Sequence, residues 1–343
     1  MTEHMLKMST KKPKAVFICR NMGTVLDVYC EAVMKKLRES LDFVDPITKE
    51  EEIYARRDEL SSVEYAFSTW GMLHLKTETI RRYFPSLRAI FYAAGSVQGF
   101  AREFLDCGVA VFSAWGANAV PVAQFTYAQI ILSMKGYYHR LHNGGGGWLN
   151  RTSKVRFPGF FGDAVGIIGA GMIGRLVINM LRDTGVRILV YDKFLSADEI
   201  AALGGEKAEL TDIFSSCCVI SNHLANNPAT VGMLNYSLFS VMRDGTIFIN
   251  TGRGAQVVEA DLIRALTERP SCIALLDVTD PEPPAPDSPL LSMKNVFLSP
   301  HIAGSIGNEV WRMAEYMYDE FVSFSSGKPV RYRVTKEMLE TMA

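Results

Sequence analysis

The segment VGIIGAGMIG, running from Val165 to Gly174, is the strongest constraint this sequence places on its own folding. A short apolar run ends there in Gly169, Gly171 and Gly174, spaced as G-x-G-x-x-G, just before a helix-like stretch. Glycine at 169 permits a tight turn, at 171 it lets another group approach the backbone, and at 174 it lets helix and strand pack closely. The helix start then offers unpaired N–H groups and a partial positive charge, which suits a pyrophosphate. A second strand-like run closes on Asp192, about twenty residues beyond Gly169. An acid there accepts from the adenosine ribose hydroxyls and repels a 2′-phosphate, so the pattern points to NAD over NADP. Lys193 is the one neighbour that works against that preference. The plain alternative is a strand-ending Asp beside glycines kept only for packing.

The rest of the chain alternates in the same way. Strand-like runs at residues 15–19, 65–68, 89–92 and 109–112 are separated by helical stretches at 25–41, 76–83 and 100–107. A helix over 121–142 comes next, with Pro121 placed for its first turn and the glycine run 143–147 as its stop. Strands at 164–168, 187–191, 218–221, 246–250, 272–277 and 296–298 then interleave with helices at 172–184 and 259–267, and a last helix spans 308–324. Strands alternating with helices make an α/β chain of two doubly wound parallel sheets. The expected division is 1–120 completed by 305–343, with 121–304 as the dinucleotide-binding part.

A chain of 343 residues with 48% hydrophobic and 21% charged residues is ordinary for a soluble globular protein. Its net charge of −1 gives no electrostatic case for nucleic acid or an anionic membrane as partner. The first residues lack the apolar region of a signal peptide, and the longest apolar stretch is interrupted by Pro121, Gln124 and Gln129. The six cysteines have no zinc-like or redox spacing, so the expectation is reduced thiols, no metal and a cytoplasmic location.

Three further groups stand just after strands, where ligands bind in open α/β sheets: Arg253, Glu282 and His301. Reduction of a 2-oxo acid needs a cation for the carboxylate, a donor for the developing alkoxide and a proton source. An Arg fork can hold the carboxylate in two places. A His can give and take the proton, and a carboxylate beside it orients the ring. Singly, each has a bland reading: a surface Arg, a solvated loop acid, a capped loop His. Their order behind a dinucleotide turn favours the chemical one. His4, His74, His139 and His142 lack this context, whereas His223, ending a strand, is placed to line the cofactor cleft. Trp70 lies near the end of the 65–68 strand and either meets the substrate's tail or fills the core.

Taken together, GIIGAGMIG at 166–174, HLANNPAT at 223–230, FINTGRGA at 248–255, LLDVTDPEP at 275–283 and SPHIAG at 299–304 resemble the D-isomer-specific 2-hydroxyacid dehydrogenases. The resemblance covers most of residues 110–325 and implies a Rossmann domain inserted in a flavodoxin-like substrate domain. It makes Arg253, Glu282 and His301 the catalytic triad and gives Asp277 the nicotinamide carboxamide. It adds Met172, Ile173, Ala225, Thr251, Gly252 and Gly304 to the cofactor site, and sets Gly95 and Ser96 in the loop whose N–H groups receive the substrate carboxylate. It also implies a homodimer packed around 124–150. The sequence departs from the family at AGSVQGF (94–100), Trp115, Gln124 and HLANNP, which bears on substrate identity more than on reaction class. A non-enzymatic, NAD-sensing protein like the corepressors of the same fold is the alternative.

Overall fold

The computed structural model describes residues 12–142, 157, 159–340 and 342. Its strands are β1 (Lys14–Phe17), β2 (Asp42–Phe43), β3 (Val63–Ser68), β4 (Ala89–Tyr92), β5 (Ala110–Ser113), β6 (Ala164–Ile168), β7 (Arg187–Tyr191), β8 (Glu206–Lys207), β9 (Val219–Asn222), β10 (Ile247–Asn250), β11 (Ile273–Leu276), β12 (Val296–Leu298) and β13 (Arg333–Val334). They divide between two compact units. One takes the chain up to Asn118 and again from Gly307, and the other is Ala119–Ile306.

The first unit's sheet has the order β13-β5-β4-β3-β1-β2. All its pairs are parallel except β13 on β5. The run 2-1-3-4-5 is the flavodoxin-like order. In register across it, Phe17 faces Phe67, Phe67 faces Phe91 and Phe91 faces Phe112. The rings form a row, with centroids 5.9, 5.2 and 4.9 Å apart. The helix Glu309–Ser325 covers it, because Met313, Met317 and Phe321 recur at helical spacing on one buried face. Phe321 meets Phe67 and Phe91 edge-on, each at 5.8 Å. On the same helix, the buried Glu320 carboxylate accepts from the N–H groups of Arg331 and Tyr332, steering the chain into β13.

The second unit's sheet has the order β12-β11-β10-β9-β6-β7-β8, parallel throughout. Strand side chains alternate between two cores. Ile168, Ile220, Phe248 and Leu276 join one, while Ile167, Val219, Ile249 and Leu275 join the other. Burial on both faces explains why these strands read as continuous apolar runs. The chain's direction across the sheet reverses between β6 and β9, the switch point where such sheets bind ligands.

The differences from the sequence reading have local causes. The expected helix over 25–41 is two helices, Met22–Val28 and Glu31–Ser40. Tyr29 breaks it by turning inward, its hydroxyl donating to the carbonyls of Ser68 and Phe91. Pro121 does not start a helix but lies inside Trp115–Met134, where its missing N–H leaves one helical bond unmade. That helix stops at Gly136, whose φ of +69° ends it before Tyr137–His142. The glycine run 143–147 lies outside the described residues. The short helices Glu50–Ala55, Ala197–Leu203 and Leu210–Ser216 and the two-residue strands carry too little periodicity to be read. All six cysteines are free, and burial pushes the Cys217 and Cys218 thiols up to about 12. Among the described residues no helix is long and apolar enough to cross a membrane.

The phenylalanine row predicts where the first unit is most vulnerable. Phe91 is fully buried and stacks on both sides, so Phe91→Ala should cost about 3–5 kcal/mol. Urea melting of the variant checks this, and a loss under about 1 kcal/mol would show that the row does not carry the unit.

Candidate active site

The three turn glycines are required for three different reasons. Gly169 has φ of +91°, and a Cβ there would lie 2.9 Å from the His223 carbonyl oxygen. At Gly174 a Cβ would sit 2.0 Å from the Gly169 oxygen. Gly171 is neither strained nor crowded, since a Cβ there would meet nothing within 4 Å. The space over Gly171 is therefore open by design of the backbone, at the N-cap of the helix Met172–Leu181, which has no side-chain cap. No described residue accepts from the N–H groups of Met172 and Ile173. Open space beside free donors at a helix start is what a pyrophosphate requires.

Asp192 leaves β7 beside this turn. Its Oδ2 accepts from Ala170 N–H at 2.8 Å, and its Oδ1 from Phe194 and Leu195 N–H at 2.9 and 3.1 Å. A carboxylate offers about four lone-pair sites, so Oδ2 retains capacity for a ribose hydroxyl. The residues thus fit a dinucleotide. His223 leaves β9 across the switch point, with its N–H on the Ile168 carbonyl. Its ring is buried, with Nε2 2.9 Å from the Ser221 hydroxyl and Nδ1 without a partner among the described residues. Burial holds its pKa down to about 3. Ala225 lies two residues on, its carbonyl accepting from the Thr230 hydroxyl, and the buried Thr251 hydroxyl lies 3.0 Å from that of Thr126.

Arg253, Glu282 and His301 come after β10, β11 and β12, three adjacent parallel strands, and so stand at one sheet edge. Gly252 and Gly254 flank Arg253, and a Cβ on Gly254 would fall 2.0 Å from the Thr279 carbonyl carbon. Nη1 of Arg253 donates to the Gly252 carbonyl at 2.7 Å. Burial lowers the guanidinium's pKa, against which the Glu282 charge acts. His301 Nδ1 lies 2.5 Å from Glu282 Oε1, and His301 is the one non-glycine among the described residues with positive φ, at 52°. That conformation is held by Asp277, which anchors the loop leaving β12. Its carboxylate accepts from Ser299 Oγ, Ile302 N–H and Ala303 N–H at 2.5–2.9 Å, and its carbonyl accepts from His301 N–H. Gly304 comes next in the same loop.

Gly95 and Ser96 belong to the other unit, after β4. The carbonyls before them are turned inward: Thr69 Oγ1 donates to Ala93, and Ser113 Oγ to both Ala94 and Gly95. No described residue accepts from the N–H groups of Gly95, Ser96 or Val97. Trp70, after β3 of that unit, is 40% exposed and so does not fill its core. The sequence reading missed Asn222, Asn250, Gln256, Thr69 and Ser113. Each is a buried polar side chain, four of them at or just past the end of an apolar strand, and that misfit was the signal available.

Comparison with known proteins bears on this arrangement. The family model described as "D-isomer specific 2-hydroxyacid dehydrogenase, NAD binding domain" matches residues 130–303. The D-3-phosphoglycerate dehydrogenase of Archaeoglobus fulgidus is 29% identical over 235 residues, 68% of this chain but 44% of that protein's length. The glyoxylate reductase of Aeropyrum pernix is 29% identical over 271 residues, 75% of this chain and 78% of its own. Among solved structures, apo D-mandelate dehydrogenase of Rhodotorula graminis superposes with a TM-score of 0.79 at 19% identity, covering 95% of this chain and 98% of that one. A phosphoglycerate oxidoreductase from Rhizobium etli gives 0.77 at 22%, covering 96% and 100%. At such identities these structures speak for the fold.

The buried imidazole makes a pH prediction. His223 titrates near 3 in the folded chain against an ordinary 6.5, so the unfolded chain binds the proton first as pH falls. Its contribution is whole above pH 6.5 and should decline by about 3 kcal/mol toward pH 4. Urea melts of wild type and His223→Gln across this window check it. An equal pH slope in both proteins would remove His223 as the source.

Proposed function

Because this chain belongs to the D-isomer specific 2-hydroxyacid dehydrogenase family, we propose that it moves a hydride between NAD(H) and the α-carbon of a small 2-hydroxy or 2-oxo acid. The observation that carries the reading is the pairing of His301 Nδ1 with Glu282 Oε1 at 2.5 Å, on the edge where Arg253 stands as a desolvated cation. NADH, when bound, supplies the hydride. Arg253 holds the carboxylate: with Nη1 fixed on the Gly252 carbonyl, the remaining N–H groups of its planar fork are set for two-point binding. Glu282 takes Nδ1 of His301, which leaves Nε2 as the nitrogen that delivers the proton to the carbonyl oxygen as the carbon is reduced, and recovers it in reverse. The part formed by 1–120 and 305–343 is assigned the substrate role, with the Gly95 and Ser96 N–H groups as carboxylate receivers and Trp70 for the tail. A homodimer packed around 124–150 and a cytoplasmic location belong to the same proposal. Light scattering that gave a monomer, or fractionation elsewhere, would remove them.

The direct test is NADH consumption across a panel of 2-oxo acids. Steady turnover is expected, and binding of NADH with no turnover on any acid would favour the sensing alternative. His301→Ala should lower kcat by about 10²–10⁴-fold while NADH affinity holds. Unchanged turnover would take His301 out of the mechanism.

The exposed ring predicts substrate size. If Trp70 meets the tail, acids with a sizeable apolar or aromatic group should be preferred over glyoxylate. Trp70→Ala should then reduce kcat/KM for the large acid and spare glyoxylate. Equal losses on both acids would end this assignment.

A further inference from the structure

The loop presenting Arg253 has almost no regular structure of its own, and its backbone hangs on three buried amides. Asn222 ends β9, Asn250 ends β10, and Gln256 lies three residues past Arg253. None is more than 1% exposed. Asn222 Nδ2 donates to Asn250 Oδ1 at 3.0 Å and to Gln256 Oε1 at 2.6 Å. Gln256 Nε2 donates to the Leu224 carbonyl at 2.7 Å, and Asn222 Oδ1 accepts from Leu224 N–H at 3.2 Å. Both remaining ends fall on one residue. Arg253 N–H donates to Gln256 Oε1 at 3.2 Å, and the Arg253 carbonyl accepts from Asn250 Nδ2 at 3.2 Å. Gly252 completes the arrangement, with its N–H on Asn250 Oδ1. A Cβ on Gly252 would lie 2.8 Å from Gln256 Oε1 and 3.0 Å from Asn222 Nδ2.

Burying an amide is unfavourable unless it is hydrogen-bonded, and apolar side chains would fill this space without that demand. A fully satisfied buried network instead fixes one geometry. We propose that Asn222 and Gln256 are positioning residues for Arg253: Gln256 holds its N–H directly, and Asn222 ties Gln256 to Asn250, which holds its carbonyl, so that the guanidinium meets a carboxylate in one orientation. This rests on the reading of Arg253 as the carboxylate clamp. A reacting group misplaced by about 1 Å can lose roughly 10²-fold in rate, which gives such a lock its value.

The test compares Gln256→Met, which keeps length and removes the bonds, with Asn222→Ser, a milder variant should the first not fold. Arg253→Lys is measured beside them. For the 2-oxo acid turned over fastest by the wild type, KM should rise about tenfold or more in Gln256→Met, with a smaller fall in kcat. Calorimetric affinity of the NADH complex for oxamate, a carboxylate that is not reduced, should weaken by a similar factor, and NADH affinity should stay within about twofold. All are measured well below the melting midpoint, where a merely structural role would lower the midpoint and leave the folded molecules' KM and oxamate affinity unchanged. If Arg253→Lys weakens oxamate binding and the folded network variants do not, the positioning role is overturned and the clamp stands. If Arg253→Lys leaves oxamate binding unchanged, the clamp falls and this inference with it.

Discussion

A parallel sheet buried on both faces has one kind of place for chemistry. Its backbone groups are paired with neighbouring strands and its side chains are committed to the two cores, so polar function is confined to the strand exits. In the unit Ala119–Ile306 the exits of β6, β7, β9, β10, β11 and β12 carry Gly169, Asp192, His223, Arg253, Asp277 and His301. Every exit also breaks a ladder and leaves N–H groups that need acceptors. How this chain supplies those acceptors governs where its functional side chains stand.

It supplies them with carboxylates and amides more than with turns. Asp192 and Asp277 each accept two or more backbone N–H groups, and neither is in a salt bridge among the described residues. The Asp277 case matters most for the site, because its three bonds fold 299–303 so that His301 takes a left-handed conformation. A non-glycine residue there costs roughly 1–2 kcal/mol, which a charged acceptor with three donors can offset. This role and the carboxamide contact implied by the resemblance are compatible, since a carboxylate has about four acceptor sites and three are in use.

The parts legible in the sequence were those fixed by local rules. Four strands, those at 89–92, 164–168, 187–191 and 296–298, have the bounds their apolar runs suggested. Gly169, Gly171 and Gly174 sit as the motif required. What escaped was decided by partners far along the chain. Tyr29 ends a helix because two carbonyls of β3 and β4 await its hydroxyl. Pro121 continues a helix because the apolar residues after it are bound into a core: Ala123, Ile130 and Met134 lie within it. Asn222 and Gln256, thirty-odd residues apart, are satisfied chiefly by each other and by the loops they join, which no window of sequence displays.

Each misfit also breaks a local rule in the same direction. A histidine with positive φ, an imidazole sealed from water, amides inside a core and a glycine beside empty space are each less favourable than an ordinary residue in that position. Scattered through the fold, they would read as tolerated defects. Here His301, His223, Asn222, Gln256 and Gly171 lie at the strand exits of one sheet or in the loops that follow them, and the buried Thr69 and Ser113 stand at strand exits of the other sheet. Sequences keep locally unfavourable choices chiefly where function demands them, so this concentration is an argument for the site that is independent of any relative.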